Sequence, residues 1–290
     1  MLPGMARKPS VAIVGPGNLG SALAISLAAA GYPIASVIAH LGGESLRKAQ
    51  RMAKRVGARS GVEPSDLRAD LIWFCVPDSE ISKTARAFAG KATWKGKVAF
   101  HSSGALASDE LLPLRKKGAA VASVHPLMTF VQGTRPLLAR VPFAIEGDAG
   151  AVRMARRIVR DLGGRAYSIQ KKEKAAYHAW GAFSSPLLIA LLVTSEQVAA
   201  AAGVSGKEAK RRMRPILQQT LANYFAHDAA GAFSGPIIRG DVDTVGRHLQ
   251  VLRRVPGARN VYSALVRAAL HYLPAKNKSA LKRVLESSAG

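Results

Sequence analysis

The stretch VAIVGPGNLG, residues 11–20, decides the fold of this chain. An apolar run typical of a buried strand leads into a glycine-spaced turn, and the small residues of SALAISLAAAGY follow as a helix. In such a turn Gly15 permits the tight bend, Gly17 lets the backbone approach a pyrophosphate, and Gly20 lets the helix pack closely on the strand. The helix N-terminus offers free N–H groups to the anion. The stretch therefore predicts a dinucleotide site contacted by Gly15, Pro16, Gly17, Asn18, Leu19 and Gly20.

The composition is that of a globular protein in a reducing compartment. With 290 residues, 48% of them hydrophobic, the chain is long enough for one large or two ordinary domains. The single cysteine, Cys75, excludes an intramolecular disulfide and a cysteine-based metal cage, and we expect no metal site. MLPGMARKPS has no apolar core of signal-peptide length, so we expect a cytoplasmic protein. We expect residues 175–195, the longest uncharged stretch, to form a buried core helix and not a membrane span.

The formal net charge of +24 raises the question of a polyanionic partner. The basic excess is spread over both halves of the chain and forms no basic tail. The densest cluster, KEAKRRMR at residues 207–214, lacks the interleaved aromatic residues on which single-stranded bases stack. We therefore expect a solvated surface whose nucleic-acid binding is at most non-specific.

Strand and helix patterns alternate up to about residue 170, and helical patterns alone follow. Strands are predicted at 11–14, 33–40, 71–76, 97–103, 119–126, 141–148 and 166–170, with helices between them that include 44–58, 108–117 and 151–164. Further helices are predicted at 173–203, 207–225, 243–255 and 260–273. The fold class is thus α/β: a Rossmann-type, mostly parallel sheet domain over 1–170, followed by a smaller all-helical substrate or dimerisation domain over 171–290.

The end of the second predicted strand bears on the choice of dinucleotide. Sites selective for NAD place a carboxylate there to bind the ribose 2′-hydroxyl, but this chain has His40, with Arg47 and Lys48 just beyond. Because cations suit a 2′-phosphate, we expect NADP as cofactor, with NAD less favoured. The alternative is that these cations simply face solvent. The carboxyl end of the third strand adds the predicted cofactor contacts Val76, Pro77 and Asp78.

Motifs along nearly the whole chain resemble those of one bacterial family. VAIVGPGNLG, FCVPDSEI, AFHSSGA, VASVHPLMTF, KAAYHAW and GPIIRGD are similar to motifs of proteins that pair a Rossmann-like domain with an uncharacterised helical C-terminal domain. That family falls in the 6-phosphogluconate dehydrogenase-like superfamily and is similar in layout to pyrroline-5-carboxylate reductase and the deazaflavin-dependent NADP reductases. The resemblance implies the fold and a nicotinamide cofactor, and it implies no particular substrate.

Two histidines and two serines follow predicted strands, where Rossmann ligands sit. His101 and His125 are candidate catalytic residues, because an imidazole can donate or accept a proton near neutral pH. The alternative for each is a histidine that caps a loop. Ser102 and Ser103 are candidate substrate contacts, as hydrogen-bond donors to a carboxylate or a cofactor amide.

A second set lies on the helix predicted to begin near residue 171. Lys174, His178, Gly181 and Ser185 fall at i, i+4, i+7 and i+11, which stacks them on one helical face. In the hydroxyisobutyrate-type dehydrogenases of the superfamily, this helix places a lysine and, four residues on, an asparagine in the substrate cleft. Lys174 matches that lysine, and His178 stands where the asparagine would be. Lys174 and His178 are candidate catalytic residues, Tyr177 and Ser185 candidate substrate contacts; a solvated Lys174 beside a packed His178 is the alternative.

These patterns predict an NADP-dependent oxidoreductase that passes a hydride between nicotinamide and a small anionic carbonyl, imine or hydroxy compound held between the domains. Arg239, in GPIIRGDVDTV, is the candidate anion clamp, and Asp241 is a predicted helix N-cap. The alternatives are a non-catalytic NADP-binding protein that acts through dimerisation or partner binding, and a polyanion-associated protein. We expect a homodimer through the helical domain, because apolar helices such as PLLIALLV exceed what a small bundle needs for its own core.

Overall fold

The computed structural model describes residues 7–39, 43–62, 67–132 and 138–287. The chain divides into two compact units, Met1–Ala182 and Phe183–Gly290. The first unit thus extends past residue 170, the boundary predicted between the domains, and takes in the start of the following helix.

An eight-stranded sheet forms the centre of the first unit. Its strands are β1 (Val11–Val14), β2 (Ile34–Ile38), β3 (Arg59–Gly61), β4 (Leu71–Phe74), β5 (Val98–His101), β6 (Ala120–Pro126), β7 (Pro142–Gly147) and β8 (Arg165–Ser168). They lie in the order β3-β2-β1-β4-β5-β6-β7-β8, in which β6 and β7 pair antiparallel and the other neighbours pair parallel. The predicted mostly parallel Rossmann-type sheet is confirmed. Strand β3 was not predicted, since its three residues carry no apolar run.

Helices cover the sheet on both faces. The helices of this unit are α1 (Asn18–Ala29), α2 (Glu44–Val56), α3 (Asp78–Ala89), α4 (Leu112–Arg115), α5 (Ala149–Asp161) and α6 (Lys174–Ser184), the last of which belongs to it as far as Ala182. Alternate strand residues point into two separate hydrophobic clusters: Val11 and Ile13 into one, Ala12 and Val14 into the other. Burial on both faces explains why the strands read as continuous apolar runs.

The helix predicted at residues 108–117 is shorter in the structure. Ser108–Leu111 form a 3-10 turn, and α4 adds a single α-helical turn. Pro113 has no N–H to donate to the carbonyl four residues earlier, which favours the tighter turn before it. The predicted helix is therefore present, but it ends at Arg115 and its first turn is of the 3-10 type.

The second unit consists of helices in its described residues. They are α7 (Pro186–Ala201), α8 (Gly206–Ala226), α9 (Ala229–Ala232), α10 (Pro236–Arg239), α11 (Val242–Leu252), α12 (Ala258–Tyr272) and α13 (Lys278–Ser287). Helices α11, α12 and α13 share a buried core formed by Val245, Leu249, Val266, Leu270, Leu281 and Leu285. Helix α13 was not predicted.

The apolar stretch at residues 175–195 is not one buried helix. Helix α6 ends at Ser184, because Ser185 precedes a proline and adopts φ −134° and ψ −81°, outside the helical region. Helix α7 contains no buried residue, so the prediction of a buried core helix is wrong for the single chain. By length and composition, Lys171–Ala201 is the one stretch of the described residues that could cross a membrane. A single stretch of this kind is weak evidence for a membrane span.

Candidate functional site

Three glycines at the start of the fold, two in the turn between β1 and α1 and one in the first turn of α1, are suited to their positions for different reasons. Gly15 has φ +101°, and a Cβ there would lie 2.6 Å from the carbonyl oxygen of Cys75. A Cβ at Gly20 would lie 2.1 Å from the carbonyl oxygen of Gly15, so α1 packs directly on the turn. Gly17 has an ordinary φ of −69°, and a Cβ there would meet no atom of the described residues within 4 Å. The protein itself therefore does not require glycine at position 17, and the space beside it is open to a ligand.

The N-terminus of α1 opens toward the same space. Among the described residues, no side chain caps Gly17, and the first turn of α1 holds no acidic residue. The first N–H groups of the helix are thus free to meet an anion. Val76, Pro77 and Asp78 follow β4, the neighbour of β1, and a Cβ at Gly15 would lie 3.1 Å from the Val76 nitrogen. These predicted cofactor contacts therefore lie beside the glycine turn.

The remaining turn residues hold the turn in place. Pro16 is buried, and its carbonyl oxygen accepts a hydrogen bond from Ser21 Oγ at 3.3 Å. Leu19 packs against the hydrophobic core. Asn18 Nδ2 donates to the carbonyl oxygen of Phe130 at 3.1 Å. Asn18 thereby connects the turn to the segment that follows β6.

The residues predicted to choose between NAD and NADP lie at the start of α2 and just before it. His40 falls outside the described residues, so its role stays a prediction. Arg47 and Lys48 are exposed on α2. Lys48 Nζ lies 2.8 Å from Glu44 Oε1, and this contact lowers the pKa of the Glu44 carboxyl. The first carboxylate beyond the second strand is therefore paired with a lysine already.

The loop that follows β5 is held by contacts within the protein. Trp73 Nε1 donates to Ser102 Oγ at 2.8 Å. Ser103 Oγ donates to Asp78 Oδ2 at 2.7 Å and accepts the Leu106 N–H at 2.9 Å. Both serines are buried. The Ser103 hydroxyl is therefore engaged as both donor and acceptor in fixing the loop, whereas the Ser102 oxygen only accepts a hydrogen bond there. The substrate roles of the two serines stay predictions.

His101 is fully buried and uses both ring nitrogens. Its Nε2 lies 3.0 Å from the carbonyl oxygen of Ala107, and its Nδ1 accepts the Ser103 N–H at 3.1 Å. Burial is the main reason why the pKa of the His101 imidazole falls to about 3, so the ring is neutral. This geometry argues against the predicted role of His101 as a catalytic proton carrier.

Lys174, the first residue of α6, is fully buried, so the alternative of a solvated Lys174 is wrong. Its Nζ donates to the carbonyl oxygen of Ser103 at 3.1 Å and to Ser123 Oγ at 2.8 Å. Burial lowers the pKa of the Lys174 ammonium to about 8, an effect that the carboxylates of Glu146 and Asp78 partly offset. The Lys174 side chain is therefore enclosed by the protein and binds the loop that follows β5.

Two histidines meet at Gly104. A Cβ on Gly104 would lie 2.9 Å from His125 Nε2 and 2.7 Å from His178 Cδ2, so a methyl group there would have to displace both imidazoles. The two rings are 6.3 Å apart between centroids. On its other side, His125 Nδ1 lies 2.9 Å from the Tyr177 hydroxyl. His125 is part-buried and His178 is exposed, so this group reaches solvent.

Burial sets the protonation of the pair formed by His125 and Tyr177. It lowers the pKa of the His125 imidazole to about 4, helped by the charges of Lys174 and His178. It also raises the pKa of the Tyr177 phenol, and the neighbouring Tyr167 adds to that shift. Near pH 7 His125 is therefore a neutral ring held by a protonated tyrosine.

Two predicted substrate contacts lie in the second unit. Ser185 stands in the break between α6 and α7, so the helical face predicted for Lys174, His178, Gly181 and Ser185 stops at Gly181. Arg239 is exposed at the end of α10. The Asp241 side chain accepts the Thr244 N–H at 3.0 Å, which confirms its predicted role as helix N-cap. The substrate roles of Ser185 and Arg239 stay predictions.

Three residues of the site were missed. Ser123 on β6 bonds to Lys174, and Glu146 on β7 accepts both the N–H and the hydroxyl of Ser108 at 2.6 and 2.8 Å. Tyr167 on β8 contacts the Tyr177 ring edge-on. Ser123 and Glu146 are buried polar residues in otherwise apolar strands. That pattern is a signal that could have found them, because a buried polar group needs a partner.

The first unit has a Rossmann-type sheet with a glycine turn after β1, and a helical unit follows it in the chain. The protein therefore belongs to the class of Rossmann-type proteins with a helical C-terminal unit. Two family models match the chain: a Rossmann-like domain over residues 5–126, and a domain of unknown function (DUF2520) over residues 141–269. The second match begins at β7, so that domain includes the end of the sheet. The two-part layout predicted from the sequence is confirmed. No curated protein matches the chain.

Solved structures share this fold. A proposed NADP oxidoreductase from Bacteroides fragilis is 19% identical, with a TM-score of 0.76 over 90% of this chain and 97% of that one. A reductive aminase from Aspergillus terreus, in complex with NADPH and ethyl-5-oxohexanoate, is 15% identical, with a TM-score of 0.65 over 96% and 99%. A pyrroline-5-carboxylate reductase from Coxiella burnetii is 15% identical, with a TM-score of 0.58 over 98% and 100%. At these identities the likeness establishes the fold, and it agrees with the predicted similarity in layout.

Proposed function

We propose that this chain is an NADP-dependent oxidoreductase acting on a small anionic carbonyl, imine or hydroxy compound. The observation that carries the proposal is the open space beside Gly17, at an uncapped helix N-terminus, in a turn whose other glycines are required by close backbone contacts. NADPH bound there supplies the hydride. The chain's own residues bind the cofactor, orient the substrate and move a proton.

The residues present fit a dinucleotide. The backbone from Gly15 to Gly20 would hold the pyrophosphate, with Val76, Pro77 and Asp78 along the neighbouring strand end. Arg47 and Lys48 are exposed cations suited to a 2′-phosphate, and His40 is the third proposed contact. NADPH is the cofactor named with the Aspergillus terreus reductive aminase, which supports NADP over NAD.

Among the three substrate classes, we favour an imine. Two of the similar structures are named for C=N chemistry, a reductive aminase and a pyrroline-5-carboxylate reductase. The second of these names describes an anionic imine, in keeping with the anionic substrate that we propose here. Arg239 is the proposed clamp for the anionic group.

We assign the proton transfer to His125 and His178. They flank Gly104 at the ends of β5 and β6, where Rossmann ligands sit, and the Tyr177 hydroxyl orients the His125 ring. His101 has no free ring nitrogen, and Lys174 is buried. With His125 neutral near pH 7, the exposed His178 is the group placed to exchange protons with solvent.

Calorimetric titration with NADPH and NADH tests the cofactor assignment. We expect NADPH to bind more tightly than NADH, and Arg47→Ala, Lys48→Ala or His40→Ala to weaken NADPH selectively. Arg59→Ala, which removes an exposed arginine from β3, is the control. Equal binding of the two cofactors by the wild type would refute the preference, and no binding of either would refute the function.

A substrate screen with NADPH oxidation as readout tests the chemistry. We expect turnover of a small anionic imine or carbonyl, and His125→Asn and His178→Asn should each lower kcat by about 100-fold or more without changing the affinity for NADPH. Tight NADPH binding with no turnover over a broad panel would favour the non-catalytic NADP-binding protein.

We also propose that the second unit forms a homodimer. Helix α7 has no buried residue and α8 buries only Ala209, while Phe183, Ile216 and Phe225 are 72%, 68% and 81% exposed. A cavity of about 390 Å³ lined mainly by apolar side chains of α7, α11 and α12 lies in the same unit. Monomeric soluble proteins rarely expose apolar surface on this scale, so a second copy of the chain is the proposed cover.

A further inference from the structure

Lys174 is a cation in a place that disfavours one. It is fully buried, and it is the first residue of α6, where the positive end of the helix dipole repels an ammonium. In the part of the chain that the structure describes, no carboxylate lies within 4 Å of its Nζ. A buried charge without an ion-pair partner costs free energy of folding. Stability therefore does not explain the lysine.

The hydrogen bonds of Lys174 join three elements at one point. Its Nζ donates to the Ser103 carbonyl in the loop after β5 and to Ser123 Oγ on β6. Ser123 Oγ in turn donates to the same Ser103 carbonyl at 3.2 Å. The ammonium thus fixes the start of α6, the loop and β6 against one another.

Both the loop after β5 and helix α6, which Lys174 joins, contain residues that contact or belong to the pair His125 and His178. Gly104, which stands against His125 and His178, directly follows Ser103 in the loop. Tyr177 and His178 lie one turn along α6 from Lys174. A shift of the loop relative to α6 would therefore move Gly104 against both imidazoles at once.

We propose that Lys174 is a positioning residue, whose buried ammonium holds the loop after β5 against β6 and α6 and thereby fixes His125 and His178 on either side of Gly104. This role deepens the proposed function and rests on it only for the catalytic importance of the two histidines. The positions themselves do not depend on turnover.

The charge of Lys174 also acts on His125. Burial, Lys174 and His178 together lower the pKa of the His125 imidazole. The titratable groups of the neighbouring elements are Tyr177 and His178 on α6, His101 on β5, Tyr167 on β8, and the carboxylates Glu146 on β7 and Asp78 on α3 that face Lys174. Removal of the ammonium alone should therefore let the pKa of His125 rise.

The test compares Lys174→Met with Lys172→Met, a matched change at an exposed lysine two residues earlier. Nuclear magnetic resonance follows the titration of the His125 imidazole and the amide resonance of Gly104 in the whole protein without cofactor. We expect Lys174→Met to keep or raise Tm, to raise the pKa of His125 by at least about 0.5 unit, and to shift the Gly104 resonance. Lys172→Met should do none of these.

Ser123→Ala removes one acceptor of Lys174 and keeps the charge. It should shift the Gly104 resonance and change the pKa of His125 less than Lys174→Met does. A folded Lys174→Met protein with an unchanged pKa of His125 and an unchanged Gly104 resonance would overturn the proposal. Should Lys174→Met fail to fold, Ser123→Ala decides, since an unshifted Gly104 resonance in that variant would overturn it equally. Failure of the wild type to bind NADPH would remove the proposed function and leave these readouts interpretable.

Discussion

Substitutions of Gly17 and Gly15 should have different effects, the first on NADPH binding and the second on the stability of the fold. Gly17→Ala fits the backbone and meets nothing in the described protein, so it should change the free energy of unfolding by less than about 1 kcal/mol. Its methyl group would occupy the proposed pyrophosphate space and weaken NADPH binding at least about tenfold. Gly15→Ala, at φ +101° and 2.6 Å from a carbonyl oxygen, should instead destabilise the fold by about 1–3 kcal/mol or more. Thermal denaturation and calorimetry measure both, and NADPH binding to Gly17→Ala at wild-type strength would contradict the assignment.

At the same scale, the buried His101 should make the fold sensitive to acid. Its pKa is about 3 in the folded protein and near 6.5 in the unfolded chain, so between these values the unfolded chain binds more protons. The stabilisation is complete above about pH 6.5 and is lost as the pH falls toward 3. His101→Gln, whose side-chain amide can still donate to Ala107, should flatten this dependence between pH 7 and pH 4.5. Urea unfolding measures it against His227→Gln at an exposed site, and an equal slope in the two variants would refute the prediction.

At the scale of the loop after β5, Gly104→Ala tests whether the two imidazoles depend on the backbone between them. The added methyl would lie within 3 Å of both rings and must displace them. We expect kcat to fall by about 100-fold or more while NADPH affinity stays within about twofold, because the glycine turn lies on other strands. Gly90→Ala, where a Cβ meets no described atom within 4 Å, is the control. Wild-type kcat in Gly104→Ala would place the chemistry elsewhere.

At the scale of helices and strands, features that depend on neighbouring residues in the sequence could be predicted. Features that depend on how the elements pack together could not. The turn at Gly15 and Gly20 followed from glycine spacing between an apolar strand and a small-residue helix. The break at Ser185 was missed, although it follows a local rule, because a residue before proline avoids the helical region. The burial of Lys174 could not be predicted from the sequence, because helical spacing shows which residues share a face of a helix but not which face is buried.

At the candidate site too, the local sequence does not show which side chains are buried. His101 and His125 both follow apolar strands, and nothing in their local sequence separates the ring that is enclosed by Ala107 and Ser103 from the ring that reaches solvent. The apolar sequence of α7 predicted burial, but the single chain leaves its side chains half exposed. The pattern of apolar residues in a helix indicates that its surface is apolar, but it does not indicate whether the same chain or a second molecule covers that surface.

For the whole molecule, we expect the charge of +24 to belong to a solvated surface. In the densest basic cluster, Glu208 lies 2.7 Å from Arg211 and 2.5 Å from Arg212, so two arginines of the cluster are paired with a carboxylate on α8. Exposed pairs of this kind add little stability, but they lower the local density of free cations. At most non-specific binding of nucleic acid stays a prediction.

The exposed apolar surface of the second unit predicts a homodimer in solution. Sedimentation equilibrium at micromolar concentrations should give twice the mass of the chain. Ile189→Arg on α7, where the side chain is 58% exposed, places a charge on the proposed contact and should shift the equilibrium to monomer. Leu112→Arg in the first unit, at a residue 40% exposed, should leave the dimer intact. A wild-type monomer over this range would refute the homodimer, and dissociation by Leu112→Arg would move the contact to the sheet unit, because a charge disrupts association only where the partner excludes water.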